Sequence, residues 1–300
     1  MLLVDFLKEG TQSLESLYPT AEARNLVSML CQELIGTRSY THIIDPQYTI
    51  AKKDEPSLEA GLERLKAGEP IQYVVGFSEF CGRRFHVTPD TLIPRPETEM
   101  LVREAIKVAD RLHRLRSPYG KSAEPVRVLD LCTGSGNIAW SVALGVPGVQ
   151  VVGVDLSEGA LEVAKEQNFT AELKATGAVA PTFVKADVLD TGQEFPFGPF
   201  DLILSNPPYI QEKEKASMRR NVLDYEPASA LFVPDEDPLL FYRAVAAWSA
   251  RFFEAEGVGI SEINEELGTD TLEVFRAAGF QEVELLNDFF DKNRFVFYKK

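Results

Sequence analysis

The chain has 300 residues, 45% hydrophobic and 26% charged, with 31 basic and 46 acidic residues and a formal charge of −15. This length and apolar content suit one large domain with a smaller companion and a sizeable core. So acidic a chain weighs against a broad phosphate-neutralising surface for nucleic acid, though one basic face stays open, and no apolar run approaches the roughly 20 residues that cross a bilayer.

The opening stretch "MLLVDFLKEG" is interrupted by Asp5 and Lys8 and lacks a basic leader, so no signal peptide is read. Residues 1 to about 70 read as helices only, with Leu3, Phe6, Leu7, Leu14 and Leu17 at helical spacing, as are Leu26, Leu30 and Leu34, then Leu58, Leu62 and Leu65. Gly36 and Gly68 read as helix stops and Ser57 as an N-cap. The stretch "PIQYVVGFSEFCGRRFHVTPD" is rich in β-branched and aromatic residues and broken by glycines, which predicts a β-hairpin linker over 71–92. Cys31, Cys81 and Cys132 have neither CxxC nor metal-ligand spacing; reduced thiols in a cytoplasmic protein are expected, with no disulfide and no metal.

From about residue 93 helices and strands alternate. "ETEMLVREAIKVADRLHRL" is a helix; "VRVLDL" is a buried strand, followed by a helix from near Asn137; "VQVVGVDL" is a strand and "EGALEVAKEQNFTAEL" a helix. "TFVKAD" and "FDLILS" are strands, "PLLFYRAVAAWSARFF" is a helix, and "GVGISEI", "EVELLND" and "RFVFYKK" are late strands. This alternation predicts an α/β domain over 93–300 with a mainly parallel, doubly wound sheet. Residues 117–125 read as a surface loop and 211–221 as a solvated, mobile charged face.

The first parallel strand runs into "LDLCTGSGNIA". Gly134, Ser135, Gly136 and Ala139 fit G-x-G-x-x-[GA], a loop that lets the backbone approach a ligand at a helix N-terminus. Asp155 ends the next strand, where a carboxylate accepts from ribose hydroxyls. NAD and S-adenosylmethionine (SAM) both fit that pattern. Asp130, just before the loop, tilts the reading to SAM, because a carboxylate suits a cationic amino-acid tail better than a pyrophosphate. On the third strand end, Asp187 can accept from an adenine amino group and Val188 can pack on the ring.

"SNPPYI" ends the fourth strand on the same edge. An amide nitrogen is a poor nucleophile because its lone pair is delocalised. Asn206 Oδ1 and the Pro207 carbonyl can accept its two N–H bonds and aim it, while Pro207 and Pro208 stiffen the loop. Tyr209 offers a face for the flat group and helps to exclude water. No general base is required, since the proton becomes acidic once transfer has begun.

With "GEPIQYVVG", "LIPRPETE", "LDLCTGSGNIA", "VDLSEGALEVA", "SNPPYI" and "YEPASAL", nearly the whole chain resembles the HemK/PrmC-type protein glutamine N5-methyltransferases. The resemblance implies a class I methyltransferase fold with a seven-stranded sheet, joined by the hairpin to a helical N-terminal domain, 1–70, that docks the substrate. It implies that Cys132, Thr133, Gly134, Ser135, Gly136, Asp155, Asp187, Val188 and Asn206 contact SAM, whose product is S-adenosylhomocysteine, and that Asn206, Pro207, Pro208 and Tyr209 hold the amide. The implied substrate is the glutamine of the GGQ motif in peptide chain release factors, with no direct nucleic-acid or membrane partner and a monomeric enzyme. Arg95 and Glu97 of "IPRPETE" support the active-site edge, and Glu226 with Pro227 shapes the pocket.

Cys132 stands where the family usually has Gly, and "DLCTGSG" with Phe80-Cys81-Gly82 is similar to a sister branch that modifies a large-subunit ribosomal protein. "IPRPETE" speaks for the release-factor branch. Cys132 is read as a small tolerated residue, since transfer to an amide is direct. Two further alternatives stay open: an adenine N6-methyltransferase of DNA or RNA, which shares the NPPY stretch, and a SAM-binding scaffold without catalysis.

Overall fold

The computed structural model describes residues 1–116 and 124–300. The loop expected over 117–125 falls, save for its last two residues, outside the described residues. The chain divides into two compact units: Met1–Phe77 with Met218–Tyr225, and Ser78–Ser217 with Glu226–Lys300.

The first unit holds helices α1 (Leu3–Leu14), α2 (Thr20–Ile35), α3 (Thr41–Ile44), α4 (Glu55–Lys66) and α5 (Ile71–Val75). Leu3, Phe6 and Leu14 meet Leu30, Leu58 and Leu65 in its core, so the helical spacing of these apolar residues is what buries them. The α4 helix starts at Glu55, and Ser57 lies inside its first turn, donating to the Asp54 carbonyl instead of capping. Residues 71–75 are helical rather than strand. Pro70 precedes them, Gly76 ends them in the left-handed region, and Ile71 and Val74 are buried with the helical core. Tertiary burial outweighs their β-branched character here.

A hairpin of β1 (Phe77–Phe80) and β2 (Arg83–His86) starts at the last residue of the Met1–Phe77 segment and belongs from Ser78 onward to the second unit. After it come α6 (Thr98–Arg116), β3 (Val126–Leu131), α7 (Asn137–Gly145), β4 (Val149–Asp155), α8 (Glu158–Glu166), α9 (Thr170–Thr176), β5 (Thr182–Lys185) and β6 (Phe200–Ser205). A two-stranded ribbon pairs β7 (Ile210–Gln211) with β8 (Phe232–Val233). Of the expected charged face, residues 212–217 form a 3-10 helix, and Arg220–Tyr225 is the short α10 of the first unit. Then follow α11 (Leu240–Phe252), β9 (Phe253–Glu262), α12 (Gly268–Ala277), β10 (Gln281–Asn287) and β11 (Asn293–Lys299).

The main sheet has seven strands in the order β10-β11-β9-β6-β3-β4-β5. The pairs from β9 to β5 are parallel, and β11 enters antiparallel between β9 and β10. Strand β3 is apolar on both faces because both are covered. Val126 and Val128 pack with α6 and α7, while Leu129 and Leu131 pack with α11. This parity governs every side chain at the strand ends. The order reverses between β3 and β6, the place where open α/β sheets leave a crevice for ligands.

The helix expected over 158–173 is interrupted at Gln167. Its buried amide donates to the carbonyls of His86 (2.9 Å) and Ser135 (3.1 Å) and accepts from His86 N–H (2.9 Å), tying the hairpin to the glycine loop. Gln167 has left helical geometry (φ −56°, ψ 129°) where its side chain makes these three bonds.

Close packing at the antiparallel edge makes one strand glycine indispensable. Gly259 of β9 pairs with Tyr298 of β11, and a Cβ at 259 would lie 2.0 Å from the Tyr298 ring. Gly259→Ala is expected to lower stability by about 2 kcal/mol or more, in the manner of an overpacked core; urea unfolding midpoints with an unchanged slope test this, and a parent-like midpoint would contradict it.

Candidate active site at the carboxyl ends of the central strands

The glycine loop is built by three residues in the left-handed region: Cys132 at φ 61°, Gly134 at φ 54° and Gly136 at φ 75°. Thr133 N–H donates to Val154 O (2.9 Å) and Gly136 N–H to Thr133 O (2.9 Å), which closes the turn before α7. At Gly134 an added Cβ would meet nothing within 4 Å, because the backbone there borders a cavity. At Gly136 it would lie 2.9 Å from Phe183, so that glycine serves close helix-to-sheet packing and does not line the cavity. A side chain at Cys132 works against backbone sterics, at about 1 kcal/mol for a non-glycine residue, which is the physical reason for a glycine in related loops. Burial, with Asp155 and Asp130 nearby, pushes the Cys132 thiol well above its ordinary value, so it is no thiolate nucleophile.

The cavity measures about 260 Å³. Of the residues singled out in the sequence, Cys132, Thr133, Gly134, Ser135, Asp155, Asp187, Val188, Asn206, Pro208 and Arg95 line it, and Pro227 does too. Asp155 accepts from Gly134 N–H (2.8 Å) and Ser157 N–H (2.9 Å), so its carboxylate is oriented at the cavity wall. Burial raises its pKa, and the backbone donors pull it back. Asp187 accepts from Leu189 N–H (2.9 Å), and the Val188 carbonyl accepts from the Trp248 indole (2.9 Å).

Gly136, Pro207, Tyr209, Asp130, Glu97 and Glu226 do not line the cavity. Asp130 shares the sheet face of Val126 and Val128 and lies beneath α7. One carboxylate oxygen accepts from Thr133 Oγ1 (2.5 Å) and Ala139 N–H (3.2 Å), and the other has no partner among the described residues. It braces the loop from below. Glu226 is buried and accepts from Arg95 Nη2 (2.6 Å) and Ile93 N–H (3.1 Å), fixing the 93–95 segment at the cavity edge.

The loop after β6 is held by residues that the sequence reading passed over. Asn206 Nδ2 donates to Thr98 Oγ1 (3.2 Å), Thr98 Oγ1 donates to Glu262 Oε2 (2.6 Å), and Tyr209 Oη donates to Glu262 Oε1 (2.9 Å). Tyr209 is thus a strut anchored on a buried carboxylate and packs into the core beneath the loop. Thr98 sits inside the "IPRPETE" motif, and Glu262 is the one acid of the apolar run "GVGISEI"; both were visible signals.

Two family models match the chain: the Methyltransferase small domain over residues 118–225 and the PrmC N-terminal domain over residues 5–76. A release factor glutamine methyltransferase of Bacteroides thetaiotaomicron is 35% identical over 95% of each chain, and one of Flavobacterium psychrophilum is 33% identical over 99% of this chain and 98% of its own. The chain belongs to the release factor glutamine methyltransferase family. The hMettl16 catalytic domain, solved in complex with the MAT2A 3'UTR hairpin 6, shares the fold at 13% identity, with a TM-score of 0.51 and 81% of each chain covered. Membership agrees with the resemblance carried by the motifs, and the sheet is that of a class I SAM-dependent methyltransferase. Among the described residues no helix is long and apolar enough to cross a membrane.

Burial pushes Asp130 up to about 7, against the opposing bonds from Thr133 and Ala139. Its folded-state pKa is raised, so the protonated form is favoured on folding, and the stability it contributes is present below about pH 4 and lost as the pH rises through about 7. Asp130→Asn removes this titration. The variant is expected to gain on the parent by a few kcal/mol between pH 4.5 and 7.5, measured as the difference in unfolding free energy; curves that stay parallel would disprove it.

Proposed function

We propose that the chain transfers a methyl group from SAM to the side-chain nitrogen of the glutamine in the GGQ motif of peptide chain release factors. The observation that carries the reading is the convergence on one cavity of residues 132–135 of the glycine loop, Asp155, Asn206 and Pro208. The names of the relatives supply the substrate class.

The residues fit the cofactor. Open space above Gly134 leaves room for a ligand against the backbone, and from the cavity wall Asp155 would accept from the ribose hydroxyls while Asp187 and Val188 would meet the adenine. Bound there, SAM supplies an electrophilic methyl on a sulfonium. Asn206 Oδ1 at the cavity wall would accept one N–H bond of the glutamine amide, and the Pro207 carbonyl would accept the second, although Pro207 does not itself line the cavity. They hold the nitrogen in line and stabilise the positive charge it acquires, in a loop that two prolines keep stiff. In the transfer the nitrogen–methyl bond would form as the sulfur–methyl bond breaks, leaving S-adenosylhomocysteine, and the nitrogen would release one proton to solvent. Thr98, Glu262 and Tyr209 move no proton; they hold the loop.

The helical unit, which matches the PrmC N-terminal domain, is assigned the binding of the release factor; its α3 exposes Ile43 and Ile44 at 67% and 74%. Free cysteines at 31, 81 and 132 suit a reducing, cytoplasmic setting.

Labelled SAM offered with release factor, ribosomal proteins and DNA or RNA in separate reactions is expected to label the release-factor glutamine; label confined to ribosomal protein or nucleic acid would sink the reading. Asn206→Ala is expected to lower kcat by about 100-fold, the scale for removing one preorganised group at a developing charge. SAM affinity measured by calorimetry should be largely retained, and a parent-like kcat would rule out the orienting role.

A further inference from the structure

Glu262 has 1% of its surface exposed, at the carboxyl end of β9 on the face of Val258 and Ile260. An ionised carboxylate only accepts hydrogen bonds, and here each oxygen receives one hydroxyl. Burial, with Glu97 nearby, raises the Glu262 pKa above its ordinary value, against the Thr98 and Tyr209 hydroxyls and the Arg294 charge, which pull it down. The ionised form is the one that satisfies both hydroxyls together.

The direction of the chain of bonds follows from that end. Thr98 has a single hydroxyl proton, and it goes to Glu262. Toward Asn206, therefore, Thr98 Oγ1 can only accept, and the Asn206 atom facing it must be the donor Nδ2. The amide oxygen of Asn206 is then the atom left for the cavity. A reversed amide would set an acceptor against an acceptor at Thr98 and turn an NH2 toward the substrate's own NH2.

We infer that Glu262 and Thr98 are positioning residues that fix the orientation of the Asn206 amide and so determine that the site presents an acceptor to the substrate nitrogen. The inference rests on the function proposed above for its catalytic meaning, but the orientation itself is a property of the protein alone. The same carboxylate anchors Tyr209, so both ends of the Asn206–Tyr209 loop are referred to one buried charge. An acceptor presented in this way selects a nitrogen that carries hydrogens.

The test uses the full chain and two readouts. In the substrate-free protein, the side-chain amide of Asn206 is followed by NMR, assigned by its loss in Asn206→Asp. In the parent its protons exchange slowly with water. In Thr98→Val, which keeps the shape and removes the hydroxyl, exchange is expected to accelerate by roughly tenfold, the factor that loss of one ordinary hydrogen bond allows. Glu262→Gln, whose amide can donate to Thr98, is expected to shift the same resonances. In methyl transfer to release factor, kcat of Thr98→Val is expected to fall roughly tenfold through loss of alignment, with KM for release factor and SAM affinity near the parent values. Thr98→Ser is expected to recover most of that loss. Thermal melting establishes that each variant is folded; if Glu262→Gln is not, Thr98→Val with its Ser rescue carries the test. Unchanged Asn206 exchange and kcat in folded Thr98→Val would overturn the inference. If the parent itself transfers no methyl to release factor, the proposed function fails, and the NMR readout still decides the orientation.

Discussion

The active-site edge depends on a carboxylate taken out of water. Glu262 joins the start of α6 to the loop after β6, and these meet only because β9 lies beside β6. A buried carboxylate is costly unless its oxygens are satisfied, so the two hydroxyls that reach it are held firmly in return. Stiffness in the Asn206–Tyr209 loop thus has two sources: the prolines restrict the backbone, and Glu262 restrains the side chains at both ends.

Asp130 plays a parallel part on the other side of β6. It is the penultimate residue of β3, on the same sheet face, and holds Thr133 and the first turn of α7, which sets the floor of the glycine loop. The two strands that flank β6 therefore each bury an acid beneath a functional loop, and neither acid lines the cavity. Asp155 is the acid at the wall itself, and its backbone donors keep it aimed there. Around the rim, Glu226 fixes Arg95, and Gln167 ties the hairpin to Ser135. Buried polar side chains satisfied by backbone groups recur throughout this edge, as expected where geometry must be held to a fraction of an ångström.

Much of this was legible in the chain. The run "VRVLDL" reads as a buried strand, and the glycines between it and a helix read as a turn that lets a ligand approach the backbone. The placement of Asn206 at a strand end followed from the apolar run before it. The misreadings have physical causes. Residues 71–75 look like a strand but are buried as a helical turn between Pro70 and Gly76. Gln167 breaks a regular helical pattern because its amide is needed by His86 and Ser135. Asp130, Tyr209 and Gly136 belong to ligand-facing motifs but do not line the cavity: Asp130 bonds Ala139 N–H, Tyr209 packs against the core, and Gly136 lies against Phe183.

By itself the sequence determined the alternating sheet, the glycine turn and the rigid proline loop, because periodicity and backbone freedom are encoded within a few neighbouring residues. Tertiary structure alone decided which acids face the cavity and which brace it from behind. Thr98 and Glu262 are 164 residues apart, and Asn206 and Thr98 are 108 apart. No local pattern carries such a pairing; it exists only once β9 has aligned with β6 and the N-terminus of α6 has come to rest over their ends.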